Sequence, residues 1–146
     1  MKFRLDHIGI VVEKIDALSK LFRTAGFPEE TKPISFLPLK VTGSFINVGG
    51  NSDDVYLELL EPADADSPIA NFVQKKGGGL HHLCFEVDDI EKTSRELVQK
   101  GFPMVTQPME CPAYDENLKR ICHKATKISF FRISDRILIE LIEKGS

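Results

Sequence analysis

The chain is written twice. Leu5-Asp6-His7-Ile8-Gly9-Ile10-Val11-Val12 returns as Leu80-His81-His82-Leu83-Cys84-Phe85-Glu86-Val87, which places His7 and His82 75 positions apart. The same offset superposes Ile15 on Ile90, Ser19 on Ser94, Gly26-Phe27-Pro28 on Gly101-Phe102-Pro103, Thr31 on Thr106 and Pro33 on Pro108. Each copy ends in a second near-identity, Leu57-Glu58-Leu59-Leu60-Glu61 against Ile139-Glu140-Leu141-Ile142-Glu143, with extra residues inserted before the last strand of the second copy. Self-similarity of this kind constrains the fold before any residue-level pattern does. Each copy must form the same supersecondary unit, and the two must bury their apolar faces together.

The units can be read from periodicity. His7 to Val12 is apolar and β-branched, a strand pattern. Glu13 to Thr24 places Ile15, Leu18, Leu21 and Phe22 at helical spacing, and Gly26 and Pro28 stop that helix. Strands follow near residues 34–39, 43–48 and 55–60, with Gly49 to Asp54 as the turn between the last two. In the second copy the expected elements are a strand from Leu80 to Val87 and a helix from Asp88 to Lys100, with Ile90, Leu97 and Val98 inward. Strands are expected near Phe102–Thr106, Ile128–Ile133 and Ile137–Ile142, and an irregular loop from Met109 to Thr126. In the connector, Ser67 caps and Pro68 starts a short helix that Gly77-Gly78-Gly79 ends. The expected fold class is therefore α+β. Paired βαβββ modules, residues 1–61 and 80–146 joined by a connector at 62–79, form one domain whose curved sheet surrounds a metal-containing cleft.

Composition excludes several function classes. A net charge of −3 lacks the basic stripe expected of a nucleic-acid-binding protein. No apolar run reaches the roughly 18 residues of a membrane span. Three cysteines at irregular spacing do not make a disulfide framework, so a reduced, cytoplasmic protein is expected.

Strand alternation then selects the chemistry. Residues i and i+2 share a face. His7 lies with Gly9 and Val11, His82 with Cys84 and Glu86, Glu58 with Tyr56 and Leu60, and Glu140 with Leu138 and Ile142. A lone strand His or Glu is usually structural. The recurrence of both types at matching points of the two copies favours one shared site of His7, Glu58, His82 and Glu140, because a mid-strand carboxylate among apolar neighbours is costly to bury unless paired or metal-bound. His81 should point to the opposite face. Cys84 is expected as a small buried filler. Cys122-His123 is weak evidence for a second metal site, and the basic run Lys119, Arg120, His123, Lys124 and Lys127 is either a solvated loop or a contact for an anionic group.

Asp6-His7-Ile8-Gly9-Ile10-Val11-Val12, Glu58-Leu59-Leu60-Glu61-Pro62, Ser67-Pro68-Ile69-Ala70 and Gly78-Gly79-Leu80-His81-His82 through Phe85-Glu86-Val87-Asp88 resemble the vicinal oxygen chelate superfamily of glyoxalase, bleomycin-resistance and extradiol dioxygenase proteins. They look most like the methylmalonyl-CoA epimerase and glyoxalase I-like branches. The resemblance covers nearly the whole chain and implies the paired-module fold. It matches His7, His82 and Glu140 to the family's metal ligands and Glu58 to the fourth ligand position. Two imidazoles and two carboxylates suit Zn, Ni, Co or Mn. The implied reaction is epimerase- or isomerase-type proton transfer alpha to a carbonyl through a metal-stabilised enediolate, with Glu140 the first candidate base and Glu58 the second. The implied substrate is an anionic thioester or a hemithioacetal, the latter in a lactoylglutathione lyase reading, and a homodimer is common in such proteins. A non-catalytic small-molecule binding protein of the same fold is the reading from a different class. A fourth protein ligand at Glu58 argues against dioxygenase chemistry.

Overall fold

The computed structural model describes residues 1–27, 30–50 and 54–146. The first half comprises β1 (Arg4–Val11), α1 (Ile15–Thr24), β2 (Ile34–Phe36), β3 (Val41–Asn47) and β4 (Tyr56–Pro62). A connector helix α2 (Ala70–Lys76) leads to β5 (Gly79–Glu86), α3 (Ile90–Gln99), β6 (Met109–Glu110), α4 (Pro112–Asn117), β7 (Lys127–Ser134) and β8 (Ile137–Glu143). The eight strands form one sheet in the order β2-β3-β4-β1-β5-β8-β7-β6. The sequence repeat is thus a repeat of topology. In each half the closing strand pairs parallel with the opening strand, β4 with β1 and β8 with β5, and a hairpin extends outward. The antiparallel pairing of β1 with β5 joins the halves.

Alternation sorts the core into two layers. On the outer face α1 packs Ile15 against Ile46 and Leu59, and α3 packs Ile90 and Leu97 against Phe131, Ile139 and Leu141. On the inner face Phe45, Cys84, Tyr114, Phe130 and Ile142 belong to one apolar cluster, of which Phe45, Tyr114 and Phe130 line the cleft. The paired serines of the repeat, Ser19 in α1 and Ser94 in α3, are both small and buried. The second glutamate of each closing strand has a structural task. Glu61 accepts the Ile15 backbone N–H at 2.8 Å and Glu143 that of Ile90 at 2.7 Å, so each closing strand caps the first turn of its own half's helix.

Several sequence expectations are corrected. The strand expected at Phe102–Thr106 is absent apart from a single bridge between Met104 and Phe131. Pro103 removes a donor there, and the backbone N–H groups of Val105 and Thr106 converge on one carbonyl, that of Phe130, so the segment crosses the sheet edge instead of running along it. The expected irregular stretch from Met109 to Thr126 contains β6 and α4. Pro112 starts α4, and buried Asp115 accepts from Thr126 N and Oγ1 at 2.9 and 2.6 Å and from Arg120 Nε at 3.2 Å, so the insertion satisfies its own polar groups. Helix α2 begins at Ala70, after a turn at Ser67 whose carbonyl accepts the Ala70 N–H, and Ser67 does not cap it. Leu21 and Val98 are exposed, at the edges of their helices' apolar stripes. Pro28 of the repeat and Asn51, Ser52 and Asp53 of the expected turn lie outside the described residues.

Candidate metal centre

The duplicated strands bring His7, Glu58, His82 and Glu140 to one point, although 133 positions separate the first and last. His7 Nε2 lies 2.9 Å from Glu58 Oε2 and 3.2 Å from Glu140 Oε2. His82 Nε2 lies 3.2 Å from Glu58 Oε2 and 2.9 Å from Glu140 Oε2. The two imidazole nitrogens are 3.1 Å apart. All four side chains line a cavity of about 300 Å³ whose wall is otherwise mostly apolar. Glu140 is the deeper carboxylate, its side chain 7% exposed against 17% for Glu58.

Burial works against the charged form of every member, and the cluster overcomes it. The His7 and His82 imidazoles hold the Glu58 carboxyl far below the usual carboxylate range, and Glu140 is lowered by the same two rings. Against burial, Glu140 and Glu58 raise His82, and Glu58 and Asp6 raise His7. In each histidine the other ring nitrogen is engaged. His7 Nδ1 donates to Asp6 Oδ2 at 2.7 Å, which orients its Nε2 toward the centre. His82 Nδ1 lies 2.9 Å from His81 Nδ1. Burial and the neighbouring His82 push His81 down to about 4, so it is neutral at physiological pH and accepts the proton of His82.

His81 is the one correction at the site. Alternation alone directs it to the opposite face, yet it lines the same cavity as His82. The cause is a β-bulge. Consecutive Gly9 and Ile10 of β1 pair with His82 and Leu80, which leaves His81 as the extra residue of β5. Reciprocally, consecutive Phe85 and Cys84 pair with Leu5 and His7, which leaves Asp6 as the extra residue of β1. Asp6 is 1% exposed. It accepts from Tyr114 Oη at 3.0 Å and pairs with Lys144 Nζ at 2.9 Å. Burial pushes the Asp6 carboxyl up, but His7 and Lys144 hold it below its ordinary range. Periodicity missed Asp6, Tyr114 and Lys144. The available signal was that Asp6 and His81 occupy matching positions in the repeat.

The remaining expectations divide cleanly. Cys84 is fully buried beside His7, a filler as expected. Cys122 and His123 join no ligand cluster among the described residues. The basic run does not line the cavity. Arg120 donates to Asp115 and to the Gly145 carbonyl, and Lys127 pairs with Glu91. The inserted segment does reach the site, because α4 supplies Ala113, Tyr114 and Asn117 to the cavity wall. Asn117 also accepts from Thr31 Oγ1 and donates to the Gly43 carbonyl, tying the second half's insertion to the first half. No helix among the described residues is long and apolar enough to cross a membrane.

Comparison with known proteins places the fold in a known family. The bovine (Bos taurus) mitochondrial methylmalonyl-CoA epimerase is 30% identical over 112 residues, covering 76% of this chain and 62% of its own. An ethylmalonyl-CoA/methylmalonyl-CoA epimerase of Cereibacter sphaeroides is 34% identical over 99 residues, 67% of this chain and 71% of its own. A solved methylmalonyl-CoA epimerase in complex with methylmalonyl-CoA and NH4+ superposes with a TM-score of 0.81 at 26% identity, covering 100% of this chain and 97% of that one. The chain spans about six-tenths of the length of the bovine and human epimerases it matches. The family model of the Glyoxalase/Bleomycin resistance protein/Dioxygenase superfamily matches residues 6–123, most of the chain and both site histidines, and the protein belongs to that superfamily.

Proposed function

We propose that this protein is a metal-dependent epimerase of an acyl-CoA thioester, methylmalonyl-CoA being the first candidate. The observation that carries the reading is the pair Glu58 and Glu140. Among the described residues they are the only carboxylates lining the cavity, and each approaches both imidazoles. The related acyl-CoA epimerases supply the substrate class.

The residues fit a divalent ion. Two neutral imidazole nitrogens 3.1 Å apart would face each other lone pair to lone pair unless a proton or a cation stood between them. The five separations of 2.9–3.2 Å put the four donor atoms within reach of one ion. His7, Glu58, His82 and Glu140 would hold the ion, and their nitrogen and oxygen donors suit Zn, Ni, Co or Mn. When bound, the ion supplies Lewis acidity that lowers the pKa of the carbon alpha to a coordinated carbonyl.

The chain's residues perform the proton transfer. Epimerisation removes a proton from one face of the alpha carbon and returns one to the other. The duplication supplies one carboxylate from each half, from strands β8 and β4. Glu140, the deeper of the two, takes the alpha proton, and Glu58, the more exposed, delivers to the opposite face a proton drawn from solvent. The apolar wall, including Phe36, Phe45, Leu60 and Phe130, excludes water from the reacting carbon.

The test is incubation of the metal-loaded protein with one epimer of methylmalonyl-CoA in deuterated water, following inversion and deuterium uptake at the alpha carbon. Inversion with uptake is expected. Tight binding with neither would replace the enzyme reading with that of a binding protein.

A further inference from the structure

Beside the site cavity lies a second one of about 440 Å³, between α2, the start of β5 and the β7–β8 turn. The two share Pro68, Ile69, His81, Arg132 and Leu138, so they are adjoining chambers of one cleft. Their chemistry differs. The inner chamber is apolar around the His and Glu cluster. The outer chamber carries Lys76, Arg132 and Arg136 against one acid, Asp135, in a chain whose net charge is −3.

These three cations are exposed, and none forms an ion pair among the described residues, whereas Arg4, Arg23, Arg120, Lys127 and Lys144 all do. Separate elements present them. Lys76 ends α2, with its Nζ 5.9 Å from the centre of the Phe72 ring, Arg132 stands on β7 opposite Leu138, and Arg136 lies in the β7–β8 turn. The register shift between Arg132 and Ser134 re-aims that end of β7. Phe72 and Leu80 also line this chamber and add apolar surface to it.

A chamber of this build fits a ligand that carries anionic groups at the end away from the His and Glu cluster. We infer that Lys76, Arg132 and Arg136 bind the phosphate groups of the thioester's nucleotide carrier and thereby select carrier-linked over short thioesters. The inference rests on the proposed acyl-CoA substrate class. It assigns recognition to residues outside the His and Glu cluster, and to none of the basic residues of the 119–127 run.

The experiment uses the metal-loaded full chain with Lys76, Arg132 and Arg136 replaced by alanine singly and together, with metal content and circular dichroism measured on each. Substrates are methylmalonyl-CoA and the methylmalonyl thioester of pantetheine, which lacks the phosphates. Calorimetry with coenzyme A and with adenosine 3′,5′-bisphosphate reads binding without turnover. The triple variant should raise KM for methylmalonyl-CoA about tenfold or more and leave kcat close to unmodified, as lost charge-assisted contacts at an exposed site would. KM for the pantetheine thioester should not move, and both nucleotides should lose affinity in the variant. Equal KM changes for the two thioesters, or equal coenzyme A binding by variant and unmodified protein, would overturn the inference. If neither thioester turns over, the epimerase reading fails while calorimetry still decides this one: loss of coenzyme A binding in the variant supports it, and no coenzyme A binding by the unmodified protein overturns it.

Discussion

Asp6 and His81 are equivalent residues of the two halves, and each is the bulged residue that engages Nδ1 of the site histidine following it. The bulges are reciprocal across the β1–β5 pair, so one strand interface orients both imidazoles. The chemistry is asymmetric, however. Asp6 is a buried carboxylate tied to Tyr114 and Lys144, and His81 is a neutral ring at the cavity.

Asp6→Asn should therefore weaken the centre without dismantling it. The amide keeps the shape but loses the charge that steadies the His7 Nδ1 proton. Loss of such an outer partner typically costs ~10–100-fold in metal affinity. Competition with a chelating dye would measure it, with circular dichroism confirming the fold. Unchanged affinity would show that the Asp6 contact to His7 is only structural.

Gly9 should resist enlargement for a reason local to the site. It sits opposite His82 on the neighbouring strand, and a Cβ there would overlap the His82 ring. Gly9→Ala should displace that ring, lower metal occupancy and destabilise the fold by about 1–3 kcal/mol, as overpacking does. Gly43→Ala is the comparison, since its Cβ would meet Leu60 Cδ2 at 3.3 Å and Glu58 Oε1 at 3.4 Å. Thermal unfolding of the two variants with and without metal should rank Gly9→Ala as the more damaging.

The two glutamates of each closing strand should separate by phenotype. Glu143→Ala removes the acceptor of the Ile90 N–H and should cost ~0.5–2 kcal/mol, the usual range for a lost helix cap, with metal content unchanged. Glu140→Gln should keep most of the stability but lower alpha-proton exchange by ~10²–10⁴. Glu58→Gln should be milder for exchange and more damaging to inversion. Undiminished exchange in metal-bearing Glu140→Gln would remove Glu140 as the base.

Metal removal should be visible in stability. A ligand at 100 times its Kd stabilises the folded state by ~2.7 kcal/mol, so a chelator should lower Tm and added metal restore it. In His82→Ala the chelator should have little further effect. An equal chelator shift in both proteins would place the bound metal elsewhere.

Thiol accessibility checks the packing around the site. Burial pushes Cys111 up to about 12, and Cys84 is fully enclosed. Alkylation of the native protein near pH 8, read by mass spectrometry, should therefore label Cys122 first and leave the other two until unfolding. Rapid labelling of Cys84 would mean that the inner layer opens in solution.

The repeat alone pointed to paired modules sharing one sheet and to the four side chains that converge. Alternation along β1, β4, β5 and β8 selected His7, Glu58, His82 and Glu140 because a period of two is a local backbone property. The same rule failed at Asp6 and His81. A bulge is a mismatch between two strands 75 residues apart, and no pattern within either strand records it. Tertiary structure also decided that Glu61 and Glu143 cap helices and that Asp115 folds the inserted segment around itself. The cations beside the cavity proved to be Lys76, Arg132 and Arg136, and the basic run from Lys119 to Lys127 lies away from it. Those outcomes depend on which polar groups meet after the halves close. Residue type and spacing specify the strands, and only their assembly specifies which side chain each buried donor finds.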